Sequence, residues 1–200
     1  MVRNVILDGD GVAILRVNRF SDRLASDFGI RPEVTRPFFR DKYPACRVGK
    51  ADLKTELAAY YKGWGWKGTL DELLNYWFTK EGALNEPMLE TVAALRKEGV
   101  RVFLSTDNEK YRTDYITNEF GMGARFDGIL SSAYIGHSKA ELEFWRYIRE
   151  KGVAQPDESL VWDDEIENIE SAKAEGFTAL LYDGMAGFNR AINAYFPDIS

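Results

Sequence analysis

The sequence is poor in cysteine and histidine, with one of each, Cys46 and His137. A single cysteine cannot form an internal disulfide. Structural zinc sites use several cysteine and histidine ligands at short spacings, and the sequence contains no such set. These shortages exclude a disulfide-stabilised scaffold and a zinc-binding module.

Long hydrophobic runs and low-complexity tracts are also missing. A membrane-spanning helix needs roughly 20 consecutive apolar residues, and the apolar run near the N-terminus is too short for a signal peptide. The formal net charge of -6 disfavours non-specific binding to nucleic acid or to anionic membranes. We therefore expect a cytoplasmic protein that binds neither nucleic acid nor membranes.

The sequence does contain the apolar residues of a folded core. Of its 200 residues, 45% are hydrophobic, which suits one domain or one domain with a smaller insertion. Five short runs rich in β-branched residues predict strands, at residues 2–7, 100–104, 126–130, 160–162 and 178–182. Because helical patterns separate these runs, the sequence predicts an α/β fold with a largely parallel sheet.

The stretch between the first two predicted strands is unusually long. Its pattern is helical from about residue 14 to residue 83, whereas a crossover between parallel strands needs only about a dozen residues. We predict that residues 15–83 form a helical cap domain, inserted into a core of residues 1–14 and 84–200. Such an insertion would stand over the end of the first strand, where open α/β sheets bind ligands.

Polar side chains follow four of the predicted strands. In chain order they are Asp8 and Asp10, then Thr106, then Lys139, and finally Asp163 and Asp164. The carboxyl ends of parallel strands converge on one edge of a sheet. Clustered carboxylates repel one another unless a cation joins them. A set of oxygen ligands favours a hard ion, and Mg²⁺ fits best.

These residue types predict phosphate-ester chemistry. Asp8 can act as the nucleophile and form an aspartyl-phosphate. Asp10 can protonate the leaving alcohol and then deprotonate the attacking water. Asp164, assisted by Asp163, would hold the metal that neutralises charge on the phosphoryl oxygens.

Two further residues are expected to bind the substrate beside these aspartates. Thr106 offers its hydroxyl and the backbone N–H groups that follow it, including that of Asp107, to a phosphoryl oxygen. Lys139 supplies a positive charge that offsets the nucleophile and the transferred group. Thr106, Asp107 and Lys139 are therefore the predicted substrate-binding residues, with Thr106 and Lys139 also catalytic.

Together these segments resemble the haloacid dehalogenase (HAD) superfamily, specifically its phosphatases with an α-helical cap. The matching segments are Val-Ile-Leu-Asp8-Gly-Asp10-Gly-Val, Val-Phe-Leu-Ser-Thr106-Asp-Asn, Lys139, and Leu-Val-Trp-Asp163-Asp164 with Asn168. The resemblance implies a Rossmann-like core, a Mg²⁺ cofactor, and an aspartyl-phosphate intermediate. It also implies that the backbone carbonyl of Asp10 binds metal while its carboxylate transfers protons. Asn168 is expected to orient the metal ligands.

The sequence departs from the family pattern at two places. Ala140 follows Lys139 where relatives usually have proline, and Asp107 follows Thr106 where relatives often have asparagine. Ser105 is therefore an alternative to Thr106 as the phosphate-binding hydroxyl. The extra carboxylate of Asp107 is unexpected at an anion-binding edge. A catalytically silent binding protein of the same family is therefore an alternative interpretation.

The resemblance favours a phosphatase that acts on a small phosphorylated metabolite, such as a sugar phosphate or a nucleotide. A phosphomutase of the same family is the nearest alternative. A dehalogenase is disfavoured because it has no leaving alcohol to protonate, and its family lacks the second aspartate, here Asp10. A phospho-receiver module is disfavoured because the third predicted strand offers no acceptor aspartate.

Other conspicuous residues are expected to be structural or to tune specificity. Cys46, without a catalytic partner, and His137, beside carboxylates that already supply acid–base chemistry, are not assigned catalytic roles. The tryptophans Trp64 and Trp66 are expected to pack within the cap. A basic cluster in the cap could send one or two side chains onto the substrate: Arg36, Arg40, Lys42, Arg47 and Lys50.

Overall fold

The computed structural model describes residues 1–197. The strands are β1 (Asn4–Asp8), β2 (Ile14–Arg16), β3 (Gly82–Leu84), β4 (Arg101–Thr106), β5 (Gly128–Ser131), β6 (Ser159–Asp163) and β7 (Thr178–Leu181). The helices are α1 (Phe20–Phe28), α2 (Pro32–Asp41), α3 (Tyr43–Arg47), α4 (Leu53–Ala58), α5 (Leu70–Lys80), α6 (Glu86–Lys97), α7 (Lys110–Asn118), α8 (Met122–Arg125), α9 (Ser132–Ile135), α10 (Leu142–Glu150), α11 (Ile166–Ala174) and α12 (Met185–Asn193).

A five-stranded parallel sheet forms the centre of the molecule, in the order β5-β4-β1-β6-β7. These are the five strands that the sequence predicts. β1 is the middle strand, and all of its residues are buried. A strand covered on both faces has no solvent side, which is why its sequence is a nearly continuous apolar run.

Side chains of the sheet alternate between two hydrophobic layers, as the period of a strand requires. Val5 and Leu7 pack on one face, against apolar residues of α6 and α12. Ile6 points to the other face, against apolar residues of α10 and α11. The core is therefore a three-layer α/β/α arrangement, and the predicted Rossmann-like fold class is confirmed.

The helical segment, residues 20–80, contains α1 to α5 and has a hydrophobic cluster of its own. Local signals set its helix boundaries. Asp52 caps the start of α4 through the backbone N–H of Thr55, and α5 begins with a capping box between Thr69 and Glu72. The apolar stripe of α5 is buried in this cluster. The helical insertion thus buries an apolar face without help from the sheet.

The two ends of the insertion differ from the wholly helical prediction. β2 and β3 pair antiparallel, with Ile14 opposite Leu84 and Arg16 opposite Gly82. These strands have only three residues each, too few for a periodic signal. Their pairing explains why they form, since each satisfies the backbone groups of the other. The exact domain boundaries, residues 14/15 and 83/84, stay a prediction.

Across residues 1–197, the helices are all too short or too polar to span a lipid bilayer.

Candidate active site

The loop after β1 brings the backbone unusually close to the acidic end of β6. Gly11 has a φ of 121°, a conformation that favours glycine. A Cβ at Gly11 would clash with the carboxylate of Asp164. The loop closes through hydrogen bonds from the Gly9 N–H to the Ser105 carbonyl and from the Gly11 N–H to the Ile14 carbonyl. Glycine at position 11 therefore lets the loop after β1 reach Asp164.

Lys139 lies between two buried carboxylates at the end of the sheet. Its Nζ donates to Oδ1 of Asp8 and, at 2.6 Å, to Oδ2 of Asp163. The three side chains are at most 5% exposed. Asp8 ends β1 and Asp163 ends the neighbouring β6, so the parallel sheet itself places them side by side. The Nζ of one lysine thus sits between a carboxylate from each of two strands.

Burial and charge act in opposite directions on this group. Burial raises the pKa of Asp8 well above its usual range, and Lys139 opposes that rise. For Lys139, burial alone would lower the pKa, but the adjacent Asp8 and Asp163 carboxylates raise it above the usual value. Lys139 therefore stays protonated and supplies a fixed positive charge beside Asp8.

Three carboxylates at this edge fit a divalent cation. One oxygen from each of Asp8, Asp163 and Asp164 lies within 4.8 Å of the others. Oδ1 of Asp164 is buried and has no hydrogen-bond partner among the described residues. Its Oδ2 accepts from Arg16 at 2.9 Å. An oxygen-only donor set with an unsatisfied buried carboxylate oxygen suits Mg²⁺, so the residues present fit the predicted metal.

Asn168 orients this acidic group from α11. Its Nδ2 donates to Oδ1 of Asp163 at 2.9 Å, and the same oxygen accepts the backbone N–H of Glu165 at 3.0 Å. Both oxygens of Asp163 are therefore held, one by the start of α11 and one by Lys139. Asp8 and Asp164 therefore have more carboxylate oxygens available for a cation than Asp163 has.

Asp10 is held by side chains of the segment after β4. Its Oδ2 accepts from the amide of Asn108, and its Oδ1 lies 3.4 Å from Nη2 of Arg112. The side chain is 28% exposed and lines a cavity. A carboxylate in this place can exchange protons with a bound molecule. A metal role for Asp10 through its carbonyl stays a prediction.

The two candidate hydroxyls have different surroundings. Ser105 pairs with Asp8 in the sheet register, is fully buried, and donates its hydroxyl to the Leu7 carbonyl at 3.4 Å. The Thr106 hydroxyl accepts from Asn108 at 2.7 Å, and Asn108 also contacts Asp10. Thr106 is thus joined to the side chains around Asp10, whereas Ser105 is joined to the sheet backbone.

Asp107 contacts the backbone that carries the site lysine. Its Oδ1 accepts the Lys139 backbone N–H at 3.0 Å, and its Oδ2 lies 3.7 Å from Nη2 of Arg47. The unexpected carboxylate therefore has partners that account for it. Arg47 is also the member of the predicted basic cluster that reaches this loop. A direct contact of Asp107 with substrate stays a prediction.

A cavity of about 260 Å³ lies between Asp10 and the helical segment. Aromatic side chains of the helical segment form one side, and Asn108 and Arg112 lie beside Asp10 on the other. The aromatic lining residues are Phe20, Phe39, Tyr43 and Trp77. A cavity that adjoins Asp10 is the natural place for the non-phosphate part of a ligand.

The remaining conspicuous residues lie elsewhere. Trp64 and Trp66 are buried in the cluster of the helical segment. Cys46 is buried, and burial raises the pKa of its thiol to about 11, which leaves it unreactive near neutral pH. His137 lies 3.6 Å from Glu141 on a partly exposed turn.

Sequence reasoning missed two residues that contact Asp10. Asn108 lies two positions after Thr106, in the same loop, and Arg112 lies in the first turn of α7. Asn108 ends the segment Val-Phe-Leu-Ser-Thr106-Asp-Asn that resembles the family, whereas Arg112 lies four residues beyond it. No pattern in the sequence shows that their side chains turn towards Asp10, because that depends on how α7 packs.

Comparison with known proteins places the chain among hydrolases. Residues 4–176 match the family model described as haloacid dehalogenase-like hydrolase.

Two curated relatives match over about half of this chain. Bifunctional epoxide hydrolase 2 of Rattus norvegicus is 26% identical over 103 residues, which are 50% of this chain and 19% of that protein. Sesquiterpene phosphatase astK of Aspergillus oryzae is 29% identical over 100 residues, which are 50% of this chain and 51% of that protein. The chain therefore spans about half the length of the fungal relative and a smaller share of the rat one.

Two solved structures share the fold over nearly the whole chain. A predicted HAD-like family hydrolase from Porphyromonas gingivalis has a TM-score of 0.78 at 19% identity and covers 99% of each chain. The HAD family enzyme bt-2542 from Bacteroides thetaiotaomicron, in complex with magnesium and inorganic phosphate, has a TM-score of 0.77 at 16% identity. That match covers 90% of this chain and 94% of the other.

Proposed function

Because the chain belongs to the haloacid dehalogenase-like hydrolase family, we propose that it is a Mg²⁺-dependent phosphatase of small phosphomonoesters. One observation carries the proposal most directly. Lys139 contacts Asp8 and Asp163 in a buried group, and one oxygen of Asp164 lies within 4.8 Å of an oxygen of each of these aspartates. This group provides a nucleophile, a fixed positive charge and an oxygen-only metal site at one edge of the sheet.

In the proposed reaction, one carboxylate oxygen of Asp8 attacks the phosphorus atom. The P–O bond to the alcohol breaks as the bond to Asp8 forms, which leaves an aspartyl-phosphate. Lys139 stabilises the charge that collects around Asp8. The Thr106 hydroxyl and the N–H groups after it donate to a phosphoryl oxygen.

Asp10 then transfers protons in both halves of the reaction. It protonates the departing alkoxide, and as a carboxylate it accepts a proton from the water that attacks the aspartyl-phosphate. Its partly exposed position beside the cavity supports both roles. Asn108 holds Asp10 and Thr106 together, since it donates to both.

Asp8, Asp163 and Asp164 would hold the cation, with the Asp10 carbonyl as a further ligand. When bound, Mg²⁺ neutralises negative charge on the phosphoryl oxygens. The structure of the bt-2542 enzyme in complex with magnesium and inorganic phosphate supports the choice of Mg²⁺ as the cation.

The helical segment acts as a cap in this proposal. It lies over the carboxyl end of the sheet and supplies the aromatic side of the cavity next to Asp10. A cavity with aromatic and polar lining beside Asp10 suits a small phosphorylated metabolite, such as a sugar phosphate or a nucleotide. Activity on such metabolites in the cytoplasm completes the proposal.

A phosphorylated-metabolite panel, including p-nitrophenyl phosphate, tests the proposal. We expect phosphate release that needs Mg²⁺, stops with EDTA, and is almost completely lost in Asp8→Asn. Asp157→Asn, a substitution of an exposed aspartate far from the site, should match the wild type. Normal turnover by Asp8→Asn would refute the covalent mechanism. Transfer between hydroxyls without phosphate release would indicate a phosphomutase.

A further inference from the structure

Arg112 joins two parts of the molecule that are distant in sequence. It projects from α7, and its side chain is only 2% exposed. Its Nη1 donates to the Phe78 carbonyl in α5 at 2.8 Å, and its Nη2 lies 3.4 Å from Oδ1 of Asp10. A single guanidinium thus connects the helical segment to the loop after β1.

The contact with Phe78 lies at the C-terminal end of α5. Carbonyl groups in the last turn of a helix have no partner within the helix, and they carry its negative pole. Two arginines contact carbonyls at or next to this last turn. Arg23 of α1 contacts those of Tyr76 and Trp77, and Arg112 contacts that of Phe78. Only Arg112 of this pair also reaches Asp10.

The contact with Asp10 completes the support of that carboxylate. Asn108 donates to Oδ2, and Arg112 lies beside Oδ1. A planar guanidinium can point separate N–H groups at two acceptors, which the compact ammonium of lysine cannot do with the same geometry. Arg112 therefore fixes one face of Asp10 relative to the end of α5.

The surroundings of Arg112 hold its guanidinium in one position. Its Cζ lies between 5.6 and 5.9 Å from the ring centres of Phe78, Tyr115 and Phe120. Its Nε is buried without a hydrogen-bond partner among the described residues. Burying a charge is costly unless its environment compensates, so packing alone would be better served by an apolar residue. The contact with Asp10 gives a reason why a charged arginine, and not an apolar residue, stands at position 112.

We propose that Arg112 is a positioning residue that holds Asp10 for proton transfer to the leaving group and ties that position to the end of α5. This inference rests on the proposed phosphatase function. The proposal predicts that removing the Arg112 guanidinium displaces the Asp10 carboxylate, whereas Asp8, Lys139, Asp163 and Asp164 remain in place. The rate of hydrolysis should then fall most for esters whose leaving group needs a proton.

The test compares two phosphate esters that differ in their need for a proton. p-Nitrophenolate leaves without much assistance, whereas the alkoxide of benzyl phosphate needs a proton from Asp10. The quantity measured is kcat/KM at saturating Mg²⁺, because it covers the steps through departure of the alcohol. Arg112→Lys and Arg112→Met are compared with Arg23→Lys and Arg23→Met, which alter the same helix end without touching Asp10.

For both Arg112 variants we expect kcat/KM for benzyl phosphate to fall roughly 10²-fold, the penalty typical of a misplaced catalytic group. For p-nitrophenyl phosphate we expect a loss below about 5-fold, because the misplaced group contributes less to that reaction. Both Arg23 variants should change the two substrates equally. Thermal unfolding monitored by circular dichroism identifies the conditions under which each variant is folded.

Equal losses on both substrates, or the same substrate bias in the Arg23 variants, would overturn the assignment. A crystal structure of Arg112→Lys provides a second measurement, in which the Asp10 carboxylate should leave its place beside Asn108. An unmoved carboxylate would also overturn the proposal. Failure of the phosphatase proposal itself gives a different result, since the wild type would then hydrolyse neither ester.

Discussion

The carboxyl end of the sheet and the helical segment bury opposite kinds of side chain. At the sheet end, Asp8, Lys139 and Asp163 are buried charges that contact one another. In the helical segment, α5 and its neighbours bury mainly aromatic and aliphatic residues. Phe20 and Trp77 stack there with ring centres 4.6 Å apart.

This difference determines how each region responds to substitution. A buried charged group destabilises the folded protein when any one of its partners is removed, because the remaining charge is then uncompensated. Apolar packing depends on filled volume and tolerates exchange between similar shapes. We therefore expect substitutions at the sheet end to affect chemistry and stability together, and those in the helical segment to affect mainly local stability.

The largest expected effect comes from Lys139→Met at the sheet end. Lys139 is the only cation among residues 1–197 that contacts both Asp8 and Asp163, and its removal should cost about 3–5 kcal/mol of unfolding free energy and nearly all phosphatase activity. Urea unfolding and p-nitrophenyl phosphate hydrolysis measure the two effects. Lys173→Met, at an exposed position of α11, serves as the control. Unchanged stability in Lys139→Met would contradict the role of the buried charges.

Phe38→Ala should have the largest effect within the helical segment. Phe38 is fully buried, and removing a buried phenylalanine side chain typically costs about 3–5 kcal/mol. Hydrogen exchange should accelerate in residues 20–80 and stay slow in the parallel sheet. Phe28→Ala, at a 51% exposed position whose ring makes edge-to-face contacts with Trp66 and Tyr76, should have a clearly smaller effect. Equal acceleration in both regions would show that they do not respond separately.

A pH effect is expected where the two regions meet, at Glu109. Burial raises the pKa of Glu109 to about 7, against about 4.3 in an unfolded chain. Between these values the folded protein binds more protons than the unfolded one. The stability of the folded protein should therefore fall as pH rises, by up to about 4 kcal/mol in total. Urea unfolding between about pH 4.5 and 7.5 should show a smaller decline in Glu109→Gln. If the wild type and Glu109→Gln lost stability equally as pH rises, Glu109 would not be the source of the decline.

Adding Mg²⁺ is expected to give the smallest of these changes. Binding at about 100 times the dissociation constant should stabilise the folded protein by about 2.7 kcal/mol. The increase should disappear in Asp164→Asn and persist in Asp157→Asn. Thermal unfolding with and without Mg²⁺ measures it. The same increase in Asp164→Asn would place the cation elsewhere.

The strands of the sheet could be predicted because buried parallel strands carry a strong local signal. The meeting of Asp8, Lys139, Asp163 and Asp164 also follows from the sequence, since parallel strands end at one edge. β2 and β3 were missed because each is a three-residue strand that depends on its partner. Asn108 and Arg112 were missed for a related reason, because their contacts with Asp10 depend on tertiary packing.

The pairing of Arg16 with Gly82 has an evolutionary consequence. Residues opposite each other in an antiparallel ribbon have Cα atoms roughly 5 Å apart, so the chain leaves and re-enters the core at nearly one point. A replacement with similarly close ends, or a tight turn, could be spliced there without rethreading the sheet. A replacement of residues 20–80 would also have to offer Arg112 an acceptor in place of the Phe78 carbonyl, and under that condition substrate preference could diverge around a conserved reaction centre.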